Sequence, residues 1–279
     1  MRAKLSGAAR RVRRALAELR FLWFRPTQQH RFVVVSAVYN AEDCVERCLD
    51  SVARQRYDPA RFMHVIIDDA SSDPTADRVE RWLAIHRPSY AVEFVRNEQN
   101  RGGCANYAAA FRRAPRDSIV VHLDGDDWLP DPLVLSYLNM VYHDANVWMT
   151  YNTWIGSDGS PSSSSFPVPP RVIAANDFRA SPWGTSHLHS FRAPLWTHVR
   201  EESLIDPLSG QPWRGAVDHA LYLPMLELAG RHSRHLDRIT YVYNRREQSL
   251  FFTNREHQLG CDERIRALPR HQPLSRLDP

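Results

Sequence analysis

Three carboxylates lie within four residues at the end of an apolar run, at Asp124, Asp126 and Asp127. The run before them, residues 118–123, is short and rich in β-branched residues, which predicts a buried strand. Clustered carboxylates repel one another unless a cation lies between them, and oxygen ligands of this kind suit Mg²⁺ or Mn²⁺, which commonly arrive with a phosphate group. The sequence therefore predicts a metal–diphosphate site, and the alternative is a solvated acidic turn that caps the helix beginning near Pro132.

A second acidic pair, Asp68 and Asp69, follows another apolar run at residues 63–67. Strand-like and helix-like segments alternate four times between residues 31 and 145, which predicts a mostly parallel sheet flanked by helices. The carboxyl ends of parallel strands meet at the same crevice, where ligands of open α/β folds bind. The two acidic groups are therefore expected to face one site.

The remaining sequence changes character after about residue 145. We predict a helix at residues 214–229, a last strand at 239–243 and a poorly packed tail from 253 to 279. The chain is thus divided into an N-terminal segment (1–27), an α/β domain (28–252, in two halves that meet at 145/146) and the tail. Residues 181–192 are unusually aromatic and polar for a connecting segment.

Composition excludes several classes of protein. Of the 279 residues, 43% are hydrophobic, and no run of 18 or more apolar residues is present, so no segment is expected to span a membrane. Neither a secretory signal peptide nor a zinc-type spacing among the four cysteines is found. A reducing cytoplasm is the expected setting.

The positive charge is concentrated at the N-terminus. Residues 1–25 hold eight basic residues and one acidic residue, a net +7, so the rest of the chain carries −3 of the total of +4. Residues 4–24 form a predicted basic amphipathic helix that ends in the apolar group Phe21-Leu22-Trp23-Phe24. The sequence leaves two interpretations open: peripheral contact with the inner face of the cytoplasmic membrane, or packing on the chain's own domain or a partner subunit.

Four motifs in order give a specific resemblance. They are Val-Ser-Ala-Val-Tyr-Asn40, Ile-Ile-Asp-Asp-Ala-Ser-Ser-Asp73, Asn-Arg-Gly-Gly103 and Leu-Asp-Gly-Asp-Asp-Trp128. With this spacing the chain resembles the family 2 glycosyltransferases of the GT-A fold. The resemblance implies an inverting transfer of a sugar from a nucleotide-diphosphate donor, a UDP-sugar in first place, to a hydroxyl acceptor. Bacterial surface polysaccharide or glycoconjugate synthesis is the setting it implies, with a glycan, a lipid-linked or a protein acceptor.

The resemblance also assigns roles to single residues. Asp124 and Asp126 are implied to hold Mn²⁺ or Mg²⁺ and the diphosphate, and Asp218, in the motif Val-Asp-His219, is the implied catalytic base. For Asp218 the alternative is an acidic residue favoured by the dipole at a helix N-terminus. The other implied donor contacts are Tyr39 near the nucleotide base, Asp69 reading it with support from Asp68, the loop residues Asn100, Gly102 and Gly103, and Asp127.

Three histidines are candidates for a further metal or diphosphate contact, since imidazole is a common ligand near neutral pH. They are His187, His189 and His219, and His187 is the first choice as a metal ligand. The sequence departs from the family pattern after Gly103, where Cys104-Ala105-Asn106 replaces the usual Ala-Arg-Asn. A basic contact to the donor is thereby lost or supplied by Arg101.

Two other functions are compatible with an acidic α/β site. A sugar nucleotidyltransferase also combines such a sheet with a metal, but its glycine-rich basic phosphate loop near the N-terminus is missing here. A non-catalytic sugar-binding or scaffold protein of the same fold is the second alternative. The retained carboxylates Asp124, Asp126 and Asp218 argue against it.

Overall fold

The computed structural model describes residues 12, 15–16, 21, 23–24, 26–162, 165–245 and 254–278. The strands are β1 (Arg31–Val38), β2 (Phe62–Asp68), β3 (Ala91–Arg96), β4 (Ser118–His122), β5 (Met149–Gly156), β6 (Ser186–Arg192), β7 (Ile205–Asp206), β8 (Gln211–Pro212) and β9 (Ser233–Tyr243). The helices are α1 (Val45–Ala53), α2 (Thr75–His86), α3 (Gly103–Arg113), α4 (Val134–Tyr142), α5 (Pro170–Ala175), α6 (Ala193–Trp196), α7 (Val217–Ala229) and α8 (Arg255–Ala267).

A seven-stranded sheet in the order β3-β2-β1-β4-β6-β5-β9 forms the centre of the fold. Strands β3, β2, β1 and β4 are parallel, which confirms the predicted mostly parallel α/β sheet. Successive residues of β1 point to opposite faces. Val33 and Val35 pack with α3 and α7, whereas Phe32 and Val34 pack with α1 and α4. Helices therefore cover both faces, which is why these strands read as continuous apolar runs.

Strand β6 was not predicted as a strand. It lies in the middle of the sheet, antiparallel to both β4 and β5. Its polar residues suggested a connecting segment, but residues 186–191 are all buried. Ser190 shows why burial is tolerated: its hydroxyl lies 2.6 Å from the Thr150 hydroxyl and 3.0 Å from the Tyr142 hydroxyl. Buried polar groups that find hydrogen-bond partners are compatible with a core.

The prediction of a poorly packed tail is wrong. Cys261 and Ile265 of α8 are buried in the same core cluster as α7. Beyond α8, the Leu274 backbone N–H donates to the Leu228 carbonyl at 2.9 Å. Most residues of α8 are charged or polar, so the sequence does not mark its two buried residues as a face that packs on the core.

A fully buried ion pair ties this C-terminal part to the domain. Arg179 Nε donates to Glu227 Oε1 at 2.6 Å and Arg179 Nη2 donates to Oε2 at 3.1 Å. The backbone N–H of His271 also donates to Oε2, at 2.9 Å. Burial opposes ionisation of Glu227, but the hydrogen bonds from His271 and Arg179 lower its pKa below the usual value.

Little of the N-terminal segment 4–24 is described, and the rest of the predicted helix lies outside the described residues. Residues 12, 15, 16, 21 and 23 are helical. Phe21 packs edge-on against Tyr137 and Phe24 against His143, at ring-centroid distances of 5.7 and 4.8 Å. Trp23 between them is 81% exposed. Among the described residues, no helix has the length and apolar character needed to cross a membrane.

Removing one partner of the buried ion pair is expected to destabilise the fold strongly. The change Arg179→Met leaves the Glu227 carboxylate buried without its counter-ion, which should lower the free energy of unfolding by about 3 kcal/mol or more. The matched control is Arg270→Met, because Arg270 pairs with Asp177 at 2.6 Å on the surface. That exposed pair should contribute only about 0–1 kcal/mol. Urea denaturation measures both values, and equal losses would contradict the structural role of the buried pair.

Candidate active site

The carboxyl ends of β1, β2 and β4 are joined directly to one another. Beyond the strands, the Asp69 backbone N–H donates to the Val38 carbonyl at 2.9 Å, and the Gly125 N–H donates to the Ala37 carbonyl at 3.1 Å. A Cβ at Gly125 would lie 2.0 Å from Val38 Cγ1, so only glycine permits this close approach. Tyr39, which follows β1, is 51% exposed at the edge of the resulting crevice.

Asp69 holds the loop that precedes α3. Its Oδ1 accepts the Arg101 backbone N–H at 2.7 Å and the Asn97 side-chain amide at 2.9 Å, while Oδ2 accepts the Gly102 N–H at 2.8 Å. Burial opposes ionisation of this carboxyl, but the amide and backbone donors lower its pKa below the usual value. Asp69 is therefore an acceptor whose capacity is largely used within the protein.

Asp68 has the opposite character. Its Oδ2 accepts the Ser71 N–H at 3.3 Å, but its Oδ1 is buried and has no hydrogen-bond partner within the described part of the chain. An unsatisfied buried acceptor is costly, and a ligand that donates a hydrogen bond would relieve that cost. Of the two predicted nucleotide contacts, Asp68 is therefore the one with an unpartnered oxygen in the described part of the chain.

Asp124 is enclosed by side chains from three different elements. Its Oδ1 accepts the Tyr107 hydroxyl of α3 at 2.7 Å and His122 Nε2 of β4 at 3.0 Å. Its Oδ2 accepts the Tyr241 hydroxyl of β9 at 3.0 Å. Burial opposes ionisation, but His122 and His187 beside the carboxyl hold the pKa of Asp124 well below its usual range. The residue is a partly buried negative charge whose orientation is fixed by its three donors.

Asp127 carries the opposite pKa shift. Burial and the neighbouring charges of Asp126 and Asp124 raise its pKa well above the usual value. Its Oδ1 accepts the Asn244 N–H at 2.6 Å, and its Oδ2 contacts the Tyr241 hydroxyl. A phenol has one proton, so a protonated Asp127 can donate to Tyr241 while Tyr241 donates to Asp124. One proton on the Asp124–Asp127 pair, together with the phenol proton of Tyr241, therefore supplies the hydrogen bonds among these three groups.

His187 of β6 lies between the acidic cluster and the predicted base. Its Nδ1 is 3.7 Å from Asp124 Oδ2, and its Nε2 is 3.4 Å from Asp218 Oδ2. Asp218 stands in the first turn of α7 and its side chain is 31% exposed. The two predicted functions, diphosphate binding and base catalysis, are separated in the sequence by 94 residues, and one imidazole connects them.

A second grouping of metal-ligating side chains lies behind His187. Atoms of His122, His189 and Asp218 lie within 4.8 Å of one another. Both nitrogens of His122 already have protein partners, at 2.5 Å from the Tyr222 hydroxyl and 3.0 Å from Asp124. A metal could use this grouping only by breaking those contacts. Of the predicted metal ligands, Asp124 and His187 are neighbours, with Asp124 Oδ2 3.7 Å from His187 Nδ1.

The two halves of the chain also meet at the loop before α3. Arg214, four residues before Asp218, donates through Nη1 to Asn100 Oδ1 at 2.6 Å and through Nη2 to the Asn100 carbonyl at 2.9 Å. Gly102 has a φ of +82°, and a Cβ there would lie 2.9 Å from Arg214 Nη1. The predicted donor loop is therefore held by Asp69 on one side and by the C-terminal half on the other.

The structure thus brings the predicted carboxylates, the loop residues 100–103, His187 and Asp218 to one crevice. Sequence reasoning missed the residues that fix them, because nothing in their local sequence distinguishes them from core residues. These are Tyr107, His122, Arg214, Tyr222 and Tyr241. Only Tyr241 had a signal, since it begins the family-like motif Tyr-Val-Tyr-Asn244.

With this geometry established, comparison with known proteins gives the class. The profile described as "Glycosyl transferase family 2" matches residues 33–199, more than half of the chain. The chain belongs to this family. Among curated relatives, it is 24% identical over 147 residues to the Staphylococcus aureus poly(ribitol-phosphate) beta-N-acetylglucosaminyltransferase TarS, covering 52% of this chain and 25% of that protein. It is 29% identical over 129 residues to the putative teichuronic acid biosynthesis glycosyltransferase TuaG of Bacillus subtilis, covering 46% and 49%.

Solved structures agree on the fold. S. aureus TarS residues 1–349 in complex with UDP-GlcNAc aligns with a TM-score of 0.60 at 22% identity, covering 78% of this chain and 60% of that one. Glucosyl-3-phosphoglycerate synthase from Mycobacterium tuberculosis, in complex with Mn²⁺, UDP and phosphoglyceric acid, aligns with a TM-score of 0.57 at 15% identity, covering 88% and 86%. The chain has the GT-A fold. It spans about a quarter of the length of the curated S. aureus relative.

Proposed function

We propose that this protein is an inverting glycosyltransferase that moves a sugar from a UDP-sugar to a hydroxyl acceptor during synthesis of a bacterial surface polysaccharide or glycoconjugate. The observation that carries the proposal is the position of His187 between Asp124 and Asp218, which joins a diphosphate-type acidic cluster to a candidate base in one crevice. A nucleotidyltransferase or a binding protein has no need for that second carboxylate beside the first.

The proposed contacts to the nucleotide sugar follow from side chains that have an unpartnered acceptor or an exposed ring among the described residues. We assign Asp68 to the nucleotide base, because its Oδ1 is a buried acceptor without a partner among the described residues and a uracil ring offers an N–H donor. Tyr39, half exposed at the crevice edge, can cover the base with its ring. Asp69 then acts indirectly, by holding Asn100, Gly102 and Gly103 against the donor. The UDP ligands of the aligned TarS and synthase structures support this choice of nucleotide.

The residues around Asp124 fit a divalent cation. The Nδ1 atom of His187 is buried, has no hydrogen-bond partner among the described residues and lies 3.7 Å from an Asp124 oxygen. Imidazole nitrogen and carboxylate oxygen form a donor set that suits Mn²⁺ or Mg²⁺. Asp124, Asp126 and His187 would hold the ion. When bound, it would stabilise the charge that develops on the leaving diphosphate.

The remaining chemistry belongs to Asp218. Its carboxylate accepts the proton of the acceptor hydroxyl, and the hydroxyl oxygen attacks the anomeric carbon from the face opposite the nucleotide. The bond to the diphosphate oxygen breaks as the new glycosidic bond forms, so the configuration inverts. General-base assistance of this kind typically contributes about 10²- to 10⁴-fold. His187, 3.4 Å from Asp218 Oδ2, restricts the orientation of the base.

The change Asp126→Asn tests the metal site. Loss of one charge from the cluster should abolish Mn²⁺-dependent hydrolysis of UDP-GlcNAc or UDP-glucose, because an amide oxygen is a far weaker ligand than a carboxylate. The control is Asp117→Asn, since Asp117 is an exposed aspartate at the opposite end of β4. Activity is followed by UDP release with and without a chelator. Full activity of Asp126→Asn, or of the wild type in excess chelator, would refute the assignment.

The change Asp218→Asn tests the base. The substitution keeps the shape and removes the proton acceptor, so kcat for sugar transfer should fall by about 10²-fold or more. The affinity for UDP, measured by calorimetry in the presence of Mg²⁺, should stay within a few-fold of the wild type. A protein that no longer binds UDP would identify Asp218 as a binding residue.

We also propose that the N-terminal segment contacts a membrane surface, with Trp23 rather than its phenylalanine neighbours as the main apolar contact. Phe21 and Phe24 are partly buried against the domain, where they pack on Tyr137 and His143. Leu16 and Trp23 are 60% and 81% exposed. Together with the +7 charge of residues 1–25, these exposed apolar side chains suit an anionic headgroup region.

Substitution of these side chains in the full chain tests the proposal. The double change Leu16→Ser with Trp23→Ser should abolish co-sedimentation with phosphatidylglycerol vesicles at low salt, because it removes the exposed apolar contact without touching the packed phenylalanines. The control is Ile85→Ser, an equally apolar and 68% exposed position on α2. Equal sedimentation of all three proteins would show that the segment is a packing or oligomer element.

A further inference from the structure

An aromatic pair lies near the predicted base. The rings of Trp183 and His219 have a centroid distance of 4.0 Å and an interplanar angle of 35°. Trp183 is also 6.5 Å from the His189 ring, and ligand atoms of His189 and Asp218 lie within 4.8 Å of one another. Trp183 is partly exposed, whereas residues 184–191 after it are buried. The pair therefore offers a partly exposed aromatic surface close to Asp218.

Helix α8 fixes the orientation of His219. The Nδ1 atom of His219 contacts Asp262 Oδ1, and Arg266 Nε donates to the same carboxylate oxygen at 2.7 Å. A carboxylate that binds one ring nitrogen sets the tautomer and the direction of the other. Nε2 is then the nitrogen of His219 that can accept a hydrogen bond from a hydroxyl group.

The same arginine orders the segment that carries Trp183. Arg266 Nη1 donates to the carbonyls of Arg179 and Ser181 at 2.6 and 2.9 Å. On the other side, the Gly184 carbonyl accepts the Phe166 N–H at 3.0 Å. A Cβ at Gly184 would lie 2.3 Å from the Phe166 ring, so the backbone packs directly on that ring. Both members of the pair are held before any ligand binds, which lowers the entropy cost of recognition.

Other tryptophan–histidine stacks in the described chain have a different setting. Trp82 stacks on His86 at 4.5 Å and Trp148 on His232 at 3.7 Å, and both tryptophans are at most 5% exposed. In those stacks the tryptophan ring is buried, whereas His86 is exposed and His232 is partly buried. Trp183 differs because its own ring, although packed against the core, keeps exposed surface.

We propose that Trp183 and His219 form an acceptor subsite that recognises a pyranose sugar. This inference rests on the proposed transferase function. One face of a pyranose presents C–H groups that an indole ring can cover, because the ring face is apolar and carries partial negative charge. The equatorial hydroxyls remain at the rim, where His219 Nε2 accepts one of them. Asp262 and Arg266 are positioning residues, since they act through His219 and the Trp183 segment.

Saturation-transfer NMR on the full chain with Mg²⁺ and UDP tests the subsite directly. The probe is methyl β-D-glucopyranoside, and ribitol, which has no ring face, is the comparison polyol. The wild type should saturate the axial ring protons of the glucoside and leave ribitol weakly affected. Trp183→Ala should weaken the glucoside affinity by about 10- to 50-fold, and Trp183→Phe should restore most of it. Asp262→Ala should weaken it by about 3- to 10-fold through the loss of one oriented hydrogen bond.

The matched control is Trp82→Phe, which alters a tryptophan–histidine stack on the outer helix α2 and should leave glucoside binding unchanged. Melting temperatures identify the variants that are folded. Equal glucoside binding by Trp183→Ala and the wild type, no binding by the wild type, or preferential binding of ribitol would overturn the subsite. Failure of the proposed transferase function is recognised separately, as absence of metal-dependent hydrolysis of UDP-sugars by the wild type in the same buffer.

Discussion

A single, partly buried charge governs the arrangement of this molecule. Asp124 lies at the end of a central strand, where an ionised carboxylate with little exposure to water needs several hydrogen-bond donors around it. Tyr107, His122 and Tyr241 supply those donors from a helix before β4, from β4 itself and from the last strand. The surroundings of Asp124 are therefore completed by β9, more than a hundred residues further along the chain. Loss of any one of these contacts would leave the carboxylate with fewer donors.

The charge also explains the protonation pattern around it. Asp127, beside an ionised neighbour, retains its proton more readily, and Tyr241 stays protonated because burial and the nearby carboxylates raise its pKa. Asp124, Tyr241 and Asp127 are then linked by shared protons, so the negative charge on the two carboxyl groups is reduced. Asp124 and Asp126 are the partly exposed members of the cluster, whereas Asp127 is buried.

The C-terminal part of the chain plays a comparable role on the acceptor side. Helix α8 packs against α7, and through Asp262 and Arg266 it reaches His219 and the segment before β6. The ion pair of Arg179 with Glu227 fixes the same segment from inside. The family profile ends at residue 199, so these contacts lie largely beyond the region that the family shares.

The motifs by themselves determined the sheet of parallel strands, the acidic crevice and the enzyme family, because each depends on residues that are close in sequence. Apolar runs followed by carboxylates predict strand ends, whatever the rest of the chain does. The tertiary structure alone decided that the polar segment 186–192 is a central strand and that Cys261 and Ile265 of α8 belong to the core. It also decided that Asp68 rather than Asp69 keeps an oxygen without a partner in the described part of the chain. In each case the outcome depends on partners distant in sequence: Ser190 is buried because Thr150 and Tyr142 meet its hydroxyl, and Asp69 is satisfied because the loop at 101–102 folds back onto it. A local sequence pattern reports the tendency of a segment to form a helix or a strand. Whether a buried polar group finds a hydrogen-bond partner depends on segments that are distant in sequence.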